Sequence, residues 1–340
     1  MVALHIADPV TAVLSENAPV VWVLHDGKLG MASQALGLAE ATGFPFIEKQ
    51  LSVRRPWAWL PPQLWLAPLH AASEGGGIPL APPWPDLVIG CGRHSAMPAL
   101  AIRRASGGHT FAAQIQDPRV GRHEFDLLFV PEHDRLRGSR AVVTRGAIHR
   151  VTPARLAEAR QRFPALARLP HPILGVLIGG SNRSYRLGLD RLAGIAEAIA
   201  AILRTAGGSA VVTPSRRTGA AGIALLRDRL AGLPAEIWDG SGDNPYYAYL
   251  AIADALLVTA DSVSMISEAA ATGKPVHIIE LEGGDAKFAR FHATMREAGI
   301  TRPFAGRIES WSYAVPDDTE RAGMLLRDAV LGHLGQRRRA

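Results

Sequence analysis

Short apolar runs of strand length alternate with longer segments of helical period along the whole chain, a pattern that predicts βαβ units and parallel sheets rather than a sandwich or a helical bundle. In the first half these runs fall at Val20 to Leu24, Phe46 to Leu51, Leu87 to Gly90, Thr110 to Ile115, Leu127 to Val130 and Ala141 to Thr144. In the second half they recur at Ile173 to Ile178, Ala210 to Thr213, Glu236 to Trp238, Ala255 to Thr259 and Val276 to Ile279. Three prolines in Pro164 to Pro172 interrupt the pattern just before the second series and predict a linker there. The expected organisation is one parallel α/β domain over 1–163, the linker at 164–172 and a second such domain over 173–315. Residues 316–340 carry a helical pattern from about Thr319 to Leu334 that can pack back on the first domain, then a basic tail at Arg337, Arg338 and Arg339.

Composition narrows the class. A chain of 340 residues with 48% hydrophobic and 20% charged residues can bury two ordinary cores. The net charge of +6 comes from basic residues that are scattered rather than stacked on one element, so nucleic acid is not expected as a partner. The single cysteine, Cys91, excludes an intramolecular disulfide framework and a cysteine zinc site and fits a reducing compartment. No basic leader and no membrane-length apolar run is seen, so a cytoplasmic location is expected.

In an open parallel sheet ligands bind beyond the carboxyl ends of the strands, so the loops after each strand carry the candidate chemistry. The first strand runs into His25-Asp26-Gly27-Lys28-Leu29-Gly30, before a helix bearing Gln34, and the third into Gly90-Cys91-Gly92-Arg93-His94-Ser95. In the second half, one strand leads to Gly179-Gly180-Ser181-Asn182-Arg183-Ser184 and the next to Thr213-Pro214-Ser215-Arg216-Arg217-Thr218-Gly219. Glycine lets backbone amides approach an anion, helix starts favour negative charge and arginine grips phosphate with a planar fork, so the paired loops predict a phosphate site. A tight turn after each strand is the structural alternative. Neither loop is a Walker A or GxGxxG motif, which removes the main support for ATPase and NAD readings.

The segment DALLVTADSVSMISEAAATGKPV, Asp254 to Val276, reads as a buried strand, a helix capped by Asp261 or Ser262 that presents Glu268, a stop at Gly273 and a new strand after Pro275. This resembles the donor-binding segment of GT-B glycosyltransferases. With DGKLGMASQALGLAEATG, the GGS and TPSRRT loops and DNPYYAYLAIADALLVTADSVSMISEAAATGKPV, the chain resembles the mitochondrial fission Elm family from Val21 to about His292. That resemblance implies a GT-B-like α/β fold, two Rossmann-like parallel-sheet domains facing a central cleft. By position it implies that Glu268 binds ribose hydroxyls, that Gly179, Gly180, Ser181, Ser262 and Ser264 meet a diphosphate, with Ser215, Arg216 and Arg217 beside them, and that Asn244 in Asp243-Asn244-Pro245-Tyr246 lies near the base or sugar. The lipid-linked GlcNAc transferases of the same superfamily carry a histidine in their first glycine loop where this chain has Met31. Asp26, His25 and His94 are the substitutes as general base, with Asp26 placed first because burial raises a carboxylate's pKa toward neutrality.

No Asp-x-Asp or HExxH motif occurs, so no metal and no resident cofactor is expected, the nucleoside diphosphate sugar being a donor substrate. Arg54-Arg55-Pro56-Trp57-Ala58-Trp59-Leu60-Pro61-Pro62-Gln63-Leu64-Trp65-Leu66 puts three tryptophans beside two arginines, which suits either a flap over the first sheet or contact with lipid headgroups. The expected function is a metal-independent glycosyltransferase acting on a lipid-linked or envelope acceptor, soluble or peripheral at the cytoplasmic face of the inner membrane. A non-catalytic scaffold resembling the fission factors, and a nucleotide-sugar epimerase, stand as alternatives on the same fold.

Overall fold

The structure, a computed structural model, describes residues 4–5 and 18–337. The chain divides into two compact units, Met1–Arg150 with Asp317–Ala340, and Val151–Pro316. The expected linker at 164–172 is not the division. Pro164 opens a single 3-10 turn, Pro164–Arg168, and Leu166 is buried with Ile173, Val211 and Tyr249 in the core of the second unit. The break falls instead after Arg150, whose Nε donates to Glu40 of the first unit at 2.9 Å, while Val151 joins the second core. Of the basic tail, Arg338 and Arg339 lie outside the described residues.

In the first unit the strands are β1 (Val21–His25), β2 (Phe46–Val53), β3 (Leu87–Cys91), β4 (Phe111–Ile115), β5 (Leu127–Pro131) and β6 (Ala141–Thr144). They run parallel in the order β2-β1-β3-β4-β5-β6. β1, β3 and β4 are buried along their whole length, as expected of strands covered on both faces, which is why they read as unbroken apolar runs. Helices α1 (Leu29–Thr42) and α2 (Arg93–Ala105) follow β1 and β3. Ala72–Glu74 and Ile78–Pro79 extend the β2 edge antiparallel, and Leu4–His5 also pairs with β2; these pieces are too short and too polar or proline-bearing to read from the pattern. The C-terminal helix Asp318–Arg337 packs here, with Ala322, Leu326 and Val330 buried beside Ala35, Leu38 and Ala39 of α1. A Cβ on Gly323 would lie 2.4 Å from that of Ala41, so the two helices meet backbone to backbone at that point.

The second unit contains β7 (Ile173–Ile178), α3 (Leu189–Ala206), β8 (Ser209–Pro214), α4 (Gly219–Arg229), β9 (Ala235–Ile237), α5 (Tyr246–Ile252), β10 (Ala255–Thr259), α6 (Val263–Ala270), β11 (Val276–Ile279), α7 (Ala286–Glu297) and β12 (Thr301–Pro303). Its sheet is parallel in the order β9-β8-β7-β10-β11-β12. Each sheet therefore has one point where successive connections leave to opposite sides. In the first unit it lies between β1 and β3, in the second between β7 and β10, and ligands of such sheets gather at those points.

Candidate functional site

The switch point of the first unit is lined by the loops after β1 and β3. His25 ends β1 almost fully buried; its Nε2 lies 2.8 Å from Glu48 Oε1 and its Nδ1 accepts the Gly27 amide at 3.1 Å. Both ring nitrogens are thus engaged inside the fold, Nε2 with Glu48 on β2 and Nδ1 with the turn. Gly27 has φ of +74° and no room for a side chain, because a Cβ would meet Gln50 at 2.5 Å.

Asp26 corrects the expectation made for it. A hydrogen bond with His94 is the largest influence on its carboxyl, and the Lys28 ammonium and amide add to it; together they outweigh burial and hold Asp26 well below the ordinary carboxylate range. A carboxylate so stabilised is a poor proton acceptor. What it does is orient His94, whose Nδ1 lies 3.5 Å from Asp26 Oδ2 in the first turn of α2. A proton on Nδ1 directed at Asp26 would leave Nε2 as the lone-pair nitrogen of a neutral His94 ring. The His94 ring stacks on Trp65, centroids 6.3 Å apart and planes 18° from parallel. Gly92, with φ of +81°, turns the chain into α2 and would place a Cβ 3.0 Å from Met31 Sδ, so the residue at the expected histidine position fills space. Sequence reading missed Gln116, just past β4, which has φ of +69° and donates to buried Gln34 at 3.3 Å. A non-glycine residue in that region marks a constrained loop, and no motif announces it.

At the switch point of the second unit the two glycines do something other than cradle an anion. Gly179 N donates to Thr259 Oγ1 at 2.8 Å and Gly180 N to Asp261 Oδ2 at 3.1 Å, so both amides are spent inside the fold. A Cβ on Gly179 would collide with the Asp261 carboxylate at 2.2 Å, and one on Gly180 with the Arg217 backbone at 2.6 Å. Glycine is required because side chain and backbone from the neighbouring loops fill those positions.

Arg217 likewise bonds within the fold although it is exposed: its Nη1 lies 2.7 Å from Asp261 Oδ2 and donates to the Gly180 carbonyl at 2.8 Å. The Ser215 hydroxyl and that of Thr218 both donate to the Gly179 carbonyl at 2.7 Å. Of the expected diphosphate contacts, these leave exposed Arg216 and Ser181 and half-buried Ser262 and Ser264. Ser181 accepts the Leu187 amide at 3.0 Å, and Ser262 rather than Asp261 caps α6, accepting Met265 N at 3.3 Å. Ser264 lies in the first turn of α6, where helix amides have no intrahelical partner.

Glu268 lies deeper in α6, 7% exposed, and accepts the Tyr246 hydroxyl at 2.6 Å. Burial, then the Glu268 charge, push that phenol well above its usual range, so Tyr246 stays a donor. Asn244 is exposed and its Oδ1 accepts the Tyr246 amide at 3.0 Å, fixing the start of α5. The G-K-P-V sequence has a structural explanation: Gly273 takes φ of +73° and Lys274 Nζ donates to the Leu250 and Ala251 carbonyls at 2.7 Å, closing the end of α5. Among the described residues no group of three His, Cys, Asp or Glu is placed to hold a metal ion, and no helix is long and apolar enough to cross a membrane.

Comparison with solved structures fixes the fold. A putative UDP-N-acetylglucosamine 2-epimerase of Listeria monocytogenes matches with a TM-score of 0.58 at 13% identity, over 94% of this chain and 97% of that one. The UDP-GlcNAc 2-epimerase of Neisseria meningitidis, solved bound to UDP-GlcNAc, matches with a TM-score of 0.51 at 12% identity, over 92% and 100%. The protein thus has the GT-B-like architecture of two Rossmann-like parallel-sheet domains. Mitochondrial fission protein ELM1 of Arabidopsis thaliana is 35% identical over 271 residues, 72% of this chain and 63% of that one. The chain therefore spans less than two thirds of that relative's length. Since the family model described as Mitochondrial fission ELM1 also matches residues 29–330, most of the sequence, the chain belongs to the mitochondrial fission ELM1 family.

Proposed function

We propose that the protein is a metal-independent glycosyltransferase of the GT-B type, taking a sugar from a nucleoside diphosphate donor to a lipid-linked or envelope acceptor. The observation that carries this reading is the start of α6 at the β7–β10 switch point, capped by Ser262, with Glu268 held by Tyr246 along the same helix. The amides of the first α6 turn and the Ser264 hydroxyl face the donor's diphosphate, Arg216 supplies the cation, and Glu268 takes the ribose hydroxyls. The acceptor hydroxyl gives up its proton to a general base, the role we assign to Nε2 of His94, which Asp26 orients at the first unit's own switch point. The hydroxyl oxygen then bonds to the anomeric carbon as the bond from that carbon to the diphosphate breaks, and the nucleoside diphosphate leaves with the electron pair. Helix dipole and arginine stabilise that leaving charge in place of a metal.

A scaffold reading is favoured by one observation, the internal use of the Gly179 and Gly180 amides and of Arg217. Release of nucleoside diphosphate from a panel of UDP-, GDP- and ADP-sugars in EDTA, with and without a lipid-linked sugar acceptor, separates the readings. Acceptor-dependent release supports transfer. Conversion of the sugar without release identifies an epimerase, and intact donor throughout leaves the scaffold.

A further inference from the structure

The flap Arg54 to Leu66, which the proposed chemistry does not use, is built with two unlike sides. Two 3-10 turns, Trp57–Trp59 and Pro62–Leu64, are folded against each other by Trp65, which is buried and whose indole N–H lies 3.0 Å from the Trp57 carbonyl and 3.4 Å from that of Leu60. The inner side is therefore anchored in the core, with Trp65 on the His94 ring. The outer side exposes apolar groups that a water-facing loop has no reason to carry: Trp59 is 71% exposed, Leu64 56% and Leu66 91%. Arg54 and Arg55 are exposed on the same flap, Arg55 lying over the Trp59 ring at 5.2 Å, and Arg54 donates to the Gly77 carbonyl at 3.3 Å, next to Ile78, itself 55% exposed.

We infer that this flap docks the protein on an anionic lipid bilayer surface. Charge selects the occupant, because no acidic residue occurs between Glu48 and Glu74, a stretch whose exposed cations are Arg54 and Arg55, Lys49 being paired with Glu74. Shape selects it as well. Single large side chains separated by prolines suit insertion among headgroups, with tryptophan at the interface and arginine on lipid phosphate. The underside contact of Trp65 with His94 gives the docking a purpose within the proposed function, since it puts the candidate base against the element that meets the lipid. The docking itself needs neither donor nor turnover and is tested apart from them.

The test is cosedimentation of the full chain with phosphatidylcholine vesicles containing about a third phosphatidylglycerol, set against vesicles of phosphatidylcholine alone. Binding is expected only to the anionic vesicles and is expected to weaken steeply at about 1 M salt, where the Debye length is about 3 Å. Replacing Arg54 and Arg55 with Ser should reduce partitioning by about 30-fold, taking each arginine at its usual interfacial worth. Trp59→Ser with Leu66→Ser should reduce it by about 10-fold or more, through the lost apolar insertion. All these side chains are exposed, so the variants keep the fold, which an unchanged thermal midpoint verifies. Equal binding to both vesicle types, binding unaffected by either double variant, or no binding at all overturns the proposal. Capture of a protein partner through the flap without vesicle binding overturns it equally.

Discussion

Asp261 and Arg217 form an ion pair of 2.7 Å at the switch point of the second sheet, with the Asp261 side chain fully buried in the space left by Gly179. The two adjacent arginines of the Ser215–Thr218 loop thus have different tasks. Arg217 neutralises a buried carboxylate, whereas exposed Arg216 is the one proposed to meet a ligand. Arg217→Ala strands that charge and is expected to lower stability by about 3 kcal/mol, discounted toward about 1 kcal/mol because the guanidinium is partly exposed. Arg216→Ala should stay within about 0.5 kcal/mol of the parent in urea unfolding while weakening diphosphate binding. Equal stability losses would show that the division of roles is wrong.

The His94 assignment predicts a split between binding and turnover. His94→Ala should leave donor affinity intact and reduce acceptor-dependent turnover by about 100-fold or more, the usual scale for a lost general base. Asp26→Asn keeps the shape but no longer fixes the ring, so its turnover should fall less than that of His94→Ala, and the double variant should be no slower than His94→Ala alone. Losses that multiply would separate the two residues.

Much of this site was legible from the chain, and the part that was not has an identifiable cause. The strands on either side of both switch points read correctly because strands buried on both faces are unbroken apolar runs. The start of α6 narrowed to Asp261 or Ser262 because capping is local chemistry, and Ser262 is the cap; the helix ends at Ala270, ahead of the positive-φ Gly273 expected to stop it. What did not read was which side chain uses which partner across the fold. Asp26 meets His94 across 68 positions of sequence, and Asp261 fills the gap at Gly179 across 82, distances at which no motif reports contact. The same limit misassigned the glycines, since close approach to an anion and close approach to a neighbouring loop demand the same residue.

Acid should weaken the first unit by a defined route. His149 is buried beneath the C-terminal helix, its amide donating to Thr319 Oγ1 at 3.2 Å, and burial pushes its imidazole down from 6.5 to about 4 despite Asp318. As pH falls below 6.5 the unfolded chain takes up a proton that the folded imidazole refuses until about 4, so stability declines across that window and levels off below it. The loss is at most about 3 kcal/mol. His277 and His292, also lowered first by burial, act in the same direction on the second unit. His149→Gln should therefore flatten part of the pH dependence of the urea midpoint between pH 6.5 and 4, and an unchanged slope would rule out His149 as a source.

The account rests on a nucleoside diphosphate site at the start of α6, and isothermal titration of UDP, GDP and ADP in EDTA tests it directly. At least one of them should bind the parent protein, and Glu268→Ala should weaken that ligand by about 1.5 to 3 kcal/mol through the lost charged hydrogen bonds, in a variant whose fold is verified by its circular dichroism. A parent protein that gives no binding heat with any of the three, or a folded Glu268→Ala variant that binds as the parent does, would contradict it.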